Sequence, residues 1–292
     1  MEHIAKKLSF RASRQKVRSI LGGKHASKLR GRGLDFEEVR NYERGDDIRN
    51  IDWKVTARTQ VTHSRVYSEE KEKPALIVVD QSNSMFFGSQ KRMKSVVAAE
   101  LAAISAFRIL KEGDRVGGAI FTDDGIDIIY PKRDRKNILR FLERIVARNH
   151  ALGESQGNRT FEDSLKEITQ KIQNIVSHDF LVIVISDFNR YSPKVVKFIT
   201  QISQHNDVIL AKVIDPLERD LPETNFIAGN QSEQISIKGK VQDVRKKFQN
   251  GFDQELLSFE ASMKKHRIPV LKIDTVRPVD EQLKEQFGLS RK

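Results

Sequence analysis

From residue 74 onward, short apolar segments alternate with longer amphipathic ones. The short segments are predicted strands, because a strand that is covered on both faces needs no polar side. They comprise residues 75–80, 115–121, 126–130, 180–186, 207–213 and 269–273. Apolar residues at helical spacing predict helices at 91–111, 134–148, 160–176, 193–204 and 241–266. The alternation predicts an α/β fold, a doubly wound and mostly parallel sheet of the Rossmann-like type.

Two segments depart from this alternation. The Asp-Asp-Gly turn at 123–125 joins two predicted strands, so we expect a hairpin and one antiparallel edge strand. Residues 218–240 contain no helical pattern, and we expect an irregular insertion with a small hairpin there.

The chain before residue 74 has a different character. Residues 1–21 are a predicted helix, 22–33 a glycine-rich connector, and 61–70 a predicted strand with alternating polarity. We therefore predict three parts. They are a basic arm and linker at 1–33, an extension at 34–73 that packs on the sheet domain, and the sheet domain itself at 74–292.

Composition limits the class of protein. The 292 residues include no cysteine, which excludes disulfides and thiolate metal sites. No apolar run reaches the roughly 18 residues of a membrane span, and the N-terminus lacks the apolar core of a signal peptide. We predict a cytoplasmic protein. Peripheral contact with the inner face of the membrane stays open.

Charge is concentrated in the arm. Residues 1–33 hold ten lysines and arginines against one acid, Glu2, and so carry +9 of the net charge of +12. Such an arm can attract nucleic acid, an anionic membrane or an acidic protein. A solvated helix without a partner explains it equally well.

The candidate chemistry lies at predicted strand ends. Asp80, Ser82 and Ser84 follow one strand, and Asp187 follows another. In the common strand order 3-2-1-4-5-6 these strands are neighbours at the switch point of the sheet. Hard oxygens gathered there suit a small divalent cation. The alternative is that Ser82 and Ser84 cap the following helix while Asp80 pairs with an amide or a lysine.

This pattern resembles the metal-ion-dependent adhesion site of von Willebrand factor A domains. The resemblance rests on D-x-S-x-S at 80–84, on the T-x-x-x-S-L loop that begins at Thr160, and on the strand ending in Ser-Asp at 186–187. It implies that Asp80, Ser82, Ser84, Thr160 and Asp187 hold Mg²⁺ or Mn²⁺, with Ca²⁺ less suited. It also implies one open position for a carboxylate of a partner protein.

A second motif precedes the sheet. Residues 38–58 read E-V-R-x-Y-x-x-G-D-D-x-R-x-I-D-W-x-x-x-A-R and are called the signature stretch below. From residue 30 onward the chain resembles domain-of-unknown-function family fifty-eight, von Willebrand A-like proteins associated with MoxR-type AAA+ ATPases. Many relatives carry two membrane-spanning helices at the front, where this chain has the basic arm.

The charges of the signature stretch leave two interpretations open. They form a surface for an ATPase, or an ion-paired network that holds the extension in place. In both cases we expect Ile51 and Trp53 to be buried. The charged residues are Glu38, Arg40, Asp46, Asp47, Arg49, Asp52, Lys54 and Arg58.

Together these features predict a metal-dependent interaction protein that serves as an adaptor between a MoxR-type ATPase and a protein client. A phosphoester hydrolase using Asp80 is the first alternative, although Ser82 stands where such an enzyme would usually need a second acid. Phosphate-loop, serine-hydrolase and zinc-protease motifs are absent, so we predict no enzyme. Nucleic-acid binding through the arm is the second alternative.

Overall fold

The computed structural model describes residues 26–27, 34–70, 73–152, 161–189, 192–229 and 234–287. These residues divide into two compact units, one on each side of the Lys73–Pro74 bond. The predicted helix at 1–21, most of the basic arm and Thr160 lie outside the described residues.

The smaller unit is a three-stranded antiparallel sheet with order β1-β3-β2. Its strands are β1 (Ala26–Ser27), β2 (Leu34–Asn41) and β3 (His63–Glu70). A 3₁₀ turn at Ile48–Asn50 and helix α1 (Trp53–Thr59) lie between β2 and β3. The strand expected at 61–70 is confirmed as β3, whereas β2 was not predicted because its charged residues obscure any apolar alternation.

The larger unit contains a six-stranded sheet with order β11-β8-β7-β4-β5-β6. Its strands are β4 (Ala75–Asp80), β5 (Val116–Thr122), β6 (Gly125–Lys132), β7 (Leu181–Ser186), β8 (Asp207–Ile214) and β11 (Val270–Asp274). All neighbours are parallel except β5 and β6, which form the expected hairpin. A separate hairpin joins β9 (Asn225–Gly229) to β10 (Gln234–Lys238) within the predicted insertion. The predicted α/β class and strand order are confirmed.

Helices cover both faces of this sheet. They are α2 (Lys94–Lys111), α3 (Arg135–His150), α4 (Phe161–Gln173), α5 (Pro193–Ser203), α6 (Gln242–Lys265) and α7 (Val279–Gln286). The short helix α7 was not predicted. None of the helices among the described residues is long and apolar enough to cross a membrane.

Strand β4 lies at the centre and shows why the sequence favours this architecture. Every residue from Ala75 to Asp80 is buried. Ile77 and Val79 join the apolar core shared with α2, α3 and α7, while Leu76 and Val78 join the core shared with α4, α5 and α6. Each such side chain contributes about 1.5–3 kcal/mol when fully buried. The central strand therefore delivers its last residue, Asp80, to a rigid edge.

Candidate metal centre and signature stretch

Sheet topology brings the two predicted aspartates to the same edge. Strands β4 and β7 are parallel neighbours with Val79 opposite Ile185, so the residues that follow them emerge side by side. Four of the five predicted ligands line one cavity of about 100 Å³. They are Asp80, Ser82, Ser84 and Asp187. The fifth, Thr160, belongs to residues outside the described ranges.

Asp80 is a buried carboxylate with few compensating groups. Its Oδ1 accepts a hydrogen bond from the Ser82 backbone N–H at 2.9 Å, and its Oδ2 accepts one from Ser186 Oγ at 2.5 Å. Burial, followed by the negative charge of Asp187, raises the pKa of Asp80 to about 7 despite these hydrogen bonds. Among the described residues, no basic side chain forms an ion pair with Asp80.

The two serine hydroxyls lie next to each other. Ser82 Oγ and Ser84 Oγ are 3.1 Å apart. Ser82 occupies the N-cap position of the 3₁₀ turn Asn83–Met85, yet its side chain makes no capping hydrogen bond. The capping alternative therefore lacks its expected contact at Ser82. The other part of that alternative, a hydrogen bond from an amide to Asp80, is present, since Asp80 accepts one from the Ser82 backbone N–H.

Asp187 is fixed by its own loop and by a lysine. Its carboxylate accepts hydrogen bonds from the Asn189 backbone N–H at 3.0 Å and side-chain Nδ2 at 3.1 Å. Lys94 Nζ donates to its Oδ2 at 2.7 Å, and Lys212 Nζ donates to its backbone carbonyl. Phe188 then takes a left-handed φ of 51°, which is rare for a bulky residue and common at functional turns.

Lys94 is the principal residue that the sequence did not reveal. Its side chain is only 1% exposed and also donates to Glu218 Oε1 at 2.6 Å. Burial disfavours the ammonium group, but the charges of Asp187 and Glu218 outweigh this effect and hold the pKa of Lys94 above its ordinary value. Burial lowers the pKa of Lys212, because the nearby acids only partly offset it. The cluster thus contains a firmly charged cation, Lys94, as well as acids.

Two further residues complete the site, and both were missed from the sequence. Ser186 Oγ accepts a hydrogen bond from the Phe188 backbone N–H at 3.1 Å, which leaves its proton directed at Asp80. Asp123, in the β5–β6 turn, accepts from the Asn83 backbone N–H at 2.6 Å and lines the same cavity. Ser186 could have been found from the Ser-Asp dipeptide, since it immediately precedes Asp187.

The donor set fits a hard divalent cation. No cluster of three or more His, Cys, Asp or Glu that could hold a metal occurs within the described part of the chain. Two carboxylates and two neutral hydroxyls are nevertheless all oxygen donors, which Mg²⁺ and Mn²⁺ prefer. Adjacent ligands of an octahedral Mg²⁺ ion lie about 3 Å apart. The 3.1 Å separation of the serine hydroxyls matches that spacing.

In the smaller unit, the acids of the signature stretch act locally. Asp46 accepts from Arg40 Nη2 at 2.7 Å and from the Glu43 backbone N–H at 3.0 Å. Asp52 caps α1 through the Lys54 and Val55 amides and pairs with Arg65 Nε at 2.8 Å. All of these contacts lie within the smaller unit, so they stabilise that unit itself.

The expectation that Trp53 is buried was wrong. Its side chain is 67% exposed, and Ile51 is only half-buried. The physical reason is the preceding residue: Asp52 is 7% exposed and takes the inward position, where it caps α1 and binds Arg65 on β3. Trp53, the first residue of α1, is then directed to solvent.

Several known proteins are similar to this chain. An uncharacterized protein of Mycobacterium tuberculosis, Rv1480, is 27% identical over 225 residues, which cover 75% of this chain and 67% of that protein. BatB from Bacteroides thetaiotaomicron is 14% identical with a TM-score of 0.44, covering 75% of this chain and all of that one. The SpRpn10 VWA domain is 11% identical with a TM-score of 0.37, covering 76% of this chain and all of that one.

Family membership rests on a broader match. Residues 38–256, most of the chain, match the family described as "Protein of unknown function DUF58". The match begins at the first residue of the signature stretch and continues past β4 and β7, so it includes both Asp80 and Asp187. The resemblance drawn from the signature stretch is confirmed, and the chain belongs to the DUF58 family.

Proposed function

We propose that this protein is a metal-dependent protein-interaction module. Asp80, Ser82, Ser84 and Asp187 hold Mg²⁺ or Mn²⁺, together with Thr160 from outside the described residues. The observation that carries the proposal is the state of Asp80, a buried carboxylate beside a second acid, with a pKa raised to about 7. A divalent cation would supply the missing positive charge.

The neighbouring side chains favour binding over bond cleavage. A bound ion would offer an electrophilic position to an incoming carboxylate oxygen, because two of its ligands are neutral hydroxyls. Both carboxylates are already engaged by donors, Asp80 by Ser82 and Ser186 and Asp187 by Asn189 and Lys94. These contacts hold the carboxylates in place for a ligand role.

We further propose that a MoxR-type AAA+ ATPase is one partner and that a client protein supplies the carboxylate. Membership of the DUF58 family and the signature stretch support this assignment. In this arrangement the module links the ATPase to its client during assembly or remodelling of a complex.

Thermal unfolding with Mg²⁺, Mn²⁺, Ca²⁺ or a chelator tests the metal site. An ion at 100 times its Kd stabilises the folded state by about 2.7 kcal/mol. We expect Mg²⁺ and Mn²⁺ to raise the Tm of the wild type and to leave the Tm of Asp80→Ala unchanged. Asp215→Asn, at another buried aspartate, is the matched control and should keep the response. A wild-type Tm that none of the three ions changes would contradict the proposal.

A pull-down on immobilised MoxR-type ATPase tests the partner. The ATPase itself depends on Mg²⁺, so chelation would not distinguish the two proteins. Asp80→Ala makes that distinction, because it alters this chain only. We expect the ATPase to retain the wild type in the presence of nucleotide, and the ternary complex with a client to be lost in the variant. Failure of the wild type to bind the ATPase would remove this partner.

A further inference from the structure

Two contrasting groups of charged residues lie in or beside the signature stretch. The first group is paired within the smaller unit, as Arg40 with Asp46 and Arg65 with Asp52. The second group consists of Lys54 and Arg58 on α1, both exposed. Asp46 and Asp52 are therefore occupied by internal contacts, whereas Lys54 and Arg58 have no acidic partner among the described residues.

Helix α1 concentrates those cations on one side. Its sequence, Trp-Lys-Val-Thr-Ala-Arg-Thr, contains two basic residues and no acid. Lys54 and Arg58 are four residues apart, so their side chains are neighbours on the helix surface, where like charges repel each other. Arg58 lies in the last turn, where the helix dipole favours a cation, whereas Lys54 in the first turn is opposed by it. An external negative charge would relieve the repulsion between the two side chains.

Two large apolar side chains accompany the cations. Trp53 is 67% exposed and Ile48, on the preceding 3₁₀ turn, is 66% exposed. They are five residues apart, which limits the distance between their Cα atoms to about 18 Å. Tryptophan and arginine are both enriched at protein interfaces.

We propose that Ile48, Trp53, Lys54 and Arg58, here called the α1 face, form a docking surface for an acidic amphipathic helix of a partner protein. Charge complementarity identifies the occupant: its acids would compensate Lys54 and Arg58, and its apolar residues would cover Trp53 and Ile48. A nucleic acid fits less well, because Asp47 is exposed beside Ile48 and because Trp53 is the one aromatic residue of the α1 face, which therefore offers no series of rings for base stacking.

This surface goes beyond the proposed metal-dependent function. It uses side chains of the smaller unit only and needs no ion. Variants at Asp80 should therefore remove metal binding and leave docking at the α1 face intact. Variants at Trp53 should remove docking and leave metal binding intact. The two proposals can fail independently.

Trp53 provides a direct reporter for the test, because it is the only tryptophan among the 292 residues. The full-length protein is titrated with a helical peptide of about four turns that carries leucines along one face and glutamates elsewhere. We expect the emission of Trp53 to start at the wavelength of solvent-exposed tryptophan and to shift to shorter wavelength on binding. Two matched peptides replace the glutamates by lysine or the leucines by alanine, and both should bind at least about tenfold more weakly.

Anisotropy of a labelled glutamate peptide tests the individual residues. Trp53→Ala and the double variant Lys54→Glu/Arg58→Glu should each weaken binding at least about tenfold. Leu257→Ala and Lys264→Glu/Lys265→Glu on α6 are matched controls, because Leu257 is 64% exposed and the two lysines are exposed. These controls and Asp80→Asn should leave the affinity within about twofold.

Three results would overturn the proposal. The first is tryptophan emission typical of a buried residue in the free protein. The second is equal affinity for the glutamate and lysine peptides. The third is displacement of the glutamate peptide by single-stranded oligothymidine at equal concentration, which would identify the α1 face as a nucleic-acid surface.

Discussion

Asp80 and Asp215 are two buried aspartates at the same edge of one sheet, yet their ionisation is shifted in opposite directions. Asp80 ends β4 and is 3% exposed, and Asp215 follows β8 and is 0% exposed. The pKa of Asp80 is raised to about 7. At Asp215 burial also favours the neutral acid, but hydrogen bonds outweigh it and hold the pKa below its ordinary value.

The difference lies in the donors around each carboxylate. Asp215 accepts hydrogen bonds from Ser89 N–H at 2.9 Å, Leu217 N–H at 3.0 Å and Thr275 Oγ1 at 2.7 Å. Asp80 has fewer donors and a neighbouring acid. Burial alone therefore does not identify a functional carboxylate. A buried carboxylate that its surroundings leave poorly compensated is the better indicator of a cation site.

Lys94 connects the two environments. It binds Asp187 beside Asp80, and it binds Glu218, whose Oε2 accepts the Asp215 backbone N–H at 2.9 Å. Asp215 and Glu218 form a capping box at the 3₁₀ turn Pro216–Glu218. The ammonium group of Lys94 thus contacts the candidate metal site through Asp187 and this capping box through Glu218.

The largest effect is expected for Lys94→Met without metal. Removing the ammonium leaves the buried Asp187 and the partly buried Glu218 without their cation, and breaking such a buried pair typically destabilises a protein by about 3–5 kcal/mol. Urea unfolding in the presence of a chelator measures the loss. Saturating Mn²⁺ should restore part of it, because the ion replaces the lost positive charge.

A surface pair provides the control for this prediction. Lys284 pairs with Asp280 at 2.8 Å on α7, and its side chain is 39% exposed. Lys284→Met should change the free energy of unfolding by less than about 0.5 kcal/mol. Equal losses in the two lysine variants would mean that burial of Lys94 has no special electrostatic consequence.

Asp215→Ala should be the next most damaging change. Three hydrogen-bond donors lose their acceptor in a buried setting, and we expect a loss of about 2–4 kcal/mol at neutral pH. Because the folded-state pKa of Asp215 is lowered, the wild-type contribution is present above the ordinary value of 3.8 and disappears as the pH falls through the lower value. Wild type and variant should therefore converge in acid unfolding experiments. A constant difference down to strongly acidic pH would contradict this account.

Asp80→Asn should increase the free energy of unfolding of the metal-free protein, whereas Asp215→Ala decreases it. Because the folded-state pKa of Asp80 is raised, wild-type stability should fall as the pH rises from about 4 to about 7. The variant removes the buried charge but keeps a buried polar group, and we expect a gain of about 1–3 kcal/mol at pH 8. Urea unfolding at several pH values measures both slopes. Parallel curves for wild type and variant would contradict the raised pKa.

Ser84→Ala should barely affect stability. Its hydroxyl bonds Ser82 in a partly buried position, so the free energy of unfolding should change by less than about 1 kcal/mol. Calorimetric titration with Mn²⁺ should instead show an affinity reduced by about tenfold, equivalent to about 1.4 kcal/mol. Unchanged affinity would remove Ser84 from the ligand set.

The parts of the site that follow from periodicity could be predicted from the sequence. Apolar strands located β4 and β7, and their adjacency brought Asp80 and Asp187 to one edge. Lys94 could not be predicted, because it begins an amphipathic helix and its partner Glu218 lies far along the chain. Such a pair becomes visible only when the loops that follow β7 and β8 are placed.

The signature stretch shows the reverse problem. Tryptophan is usually largely buried, and that general tendency led to the wrong expectation for Trp53. The deciding contact is Asp52 with Arg65, thirteen residues away on β3, which turns α1 outward at its first residue. The residues next to Trp53 in the sequence do not indicate the ion pair between Asp52 and Arg65.

The pairing of β4 with β7 also determines when the site can form during folding. Ala75 pairs with Leu181, so more than a hundred residues separate the two strands that carry Asp80 and Asp187. Contacts of such sequence separation form late, because the intervening chain must first lose its conformational freedom. During synthesis, a chain that has not yet reached β7 holds Asp80 without Asp187 or Lys212, and its carboxylate titrates as an ordinary acid in water. Ion uptake at this edge would therefore mark the completed sheet.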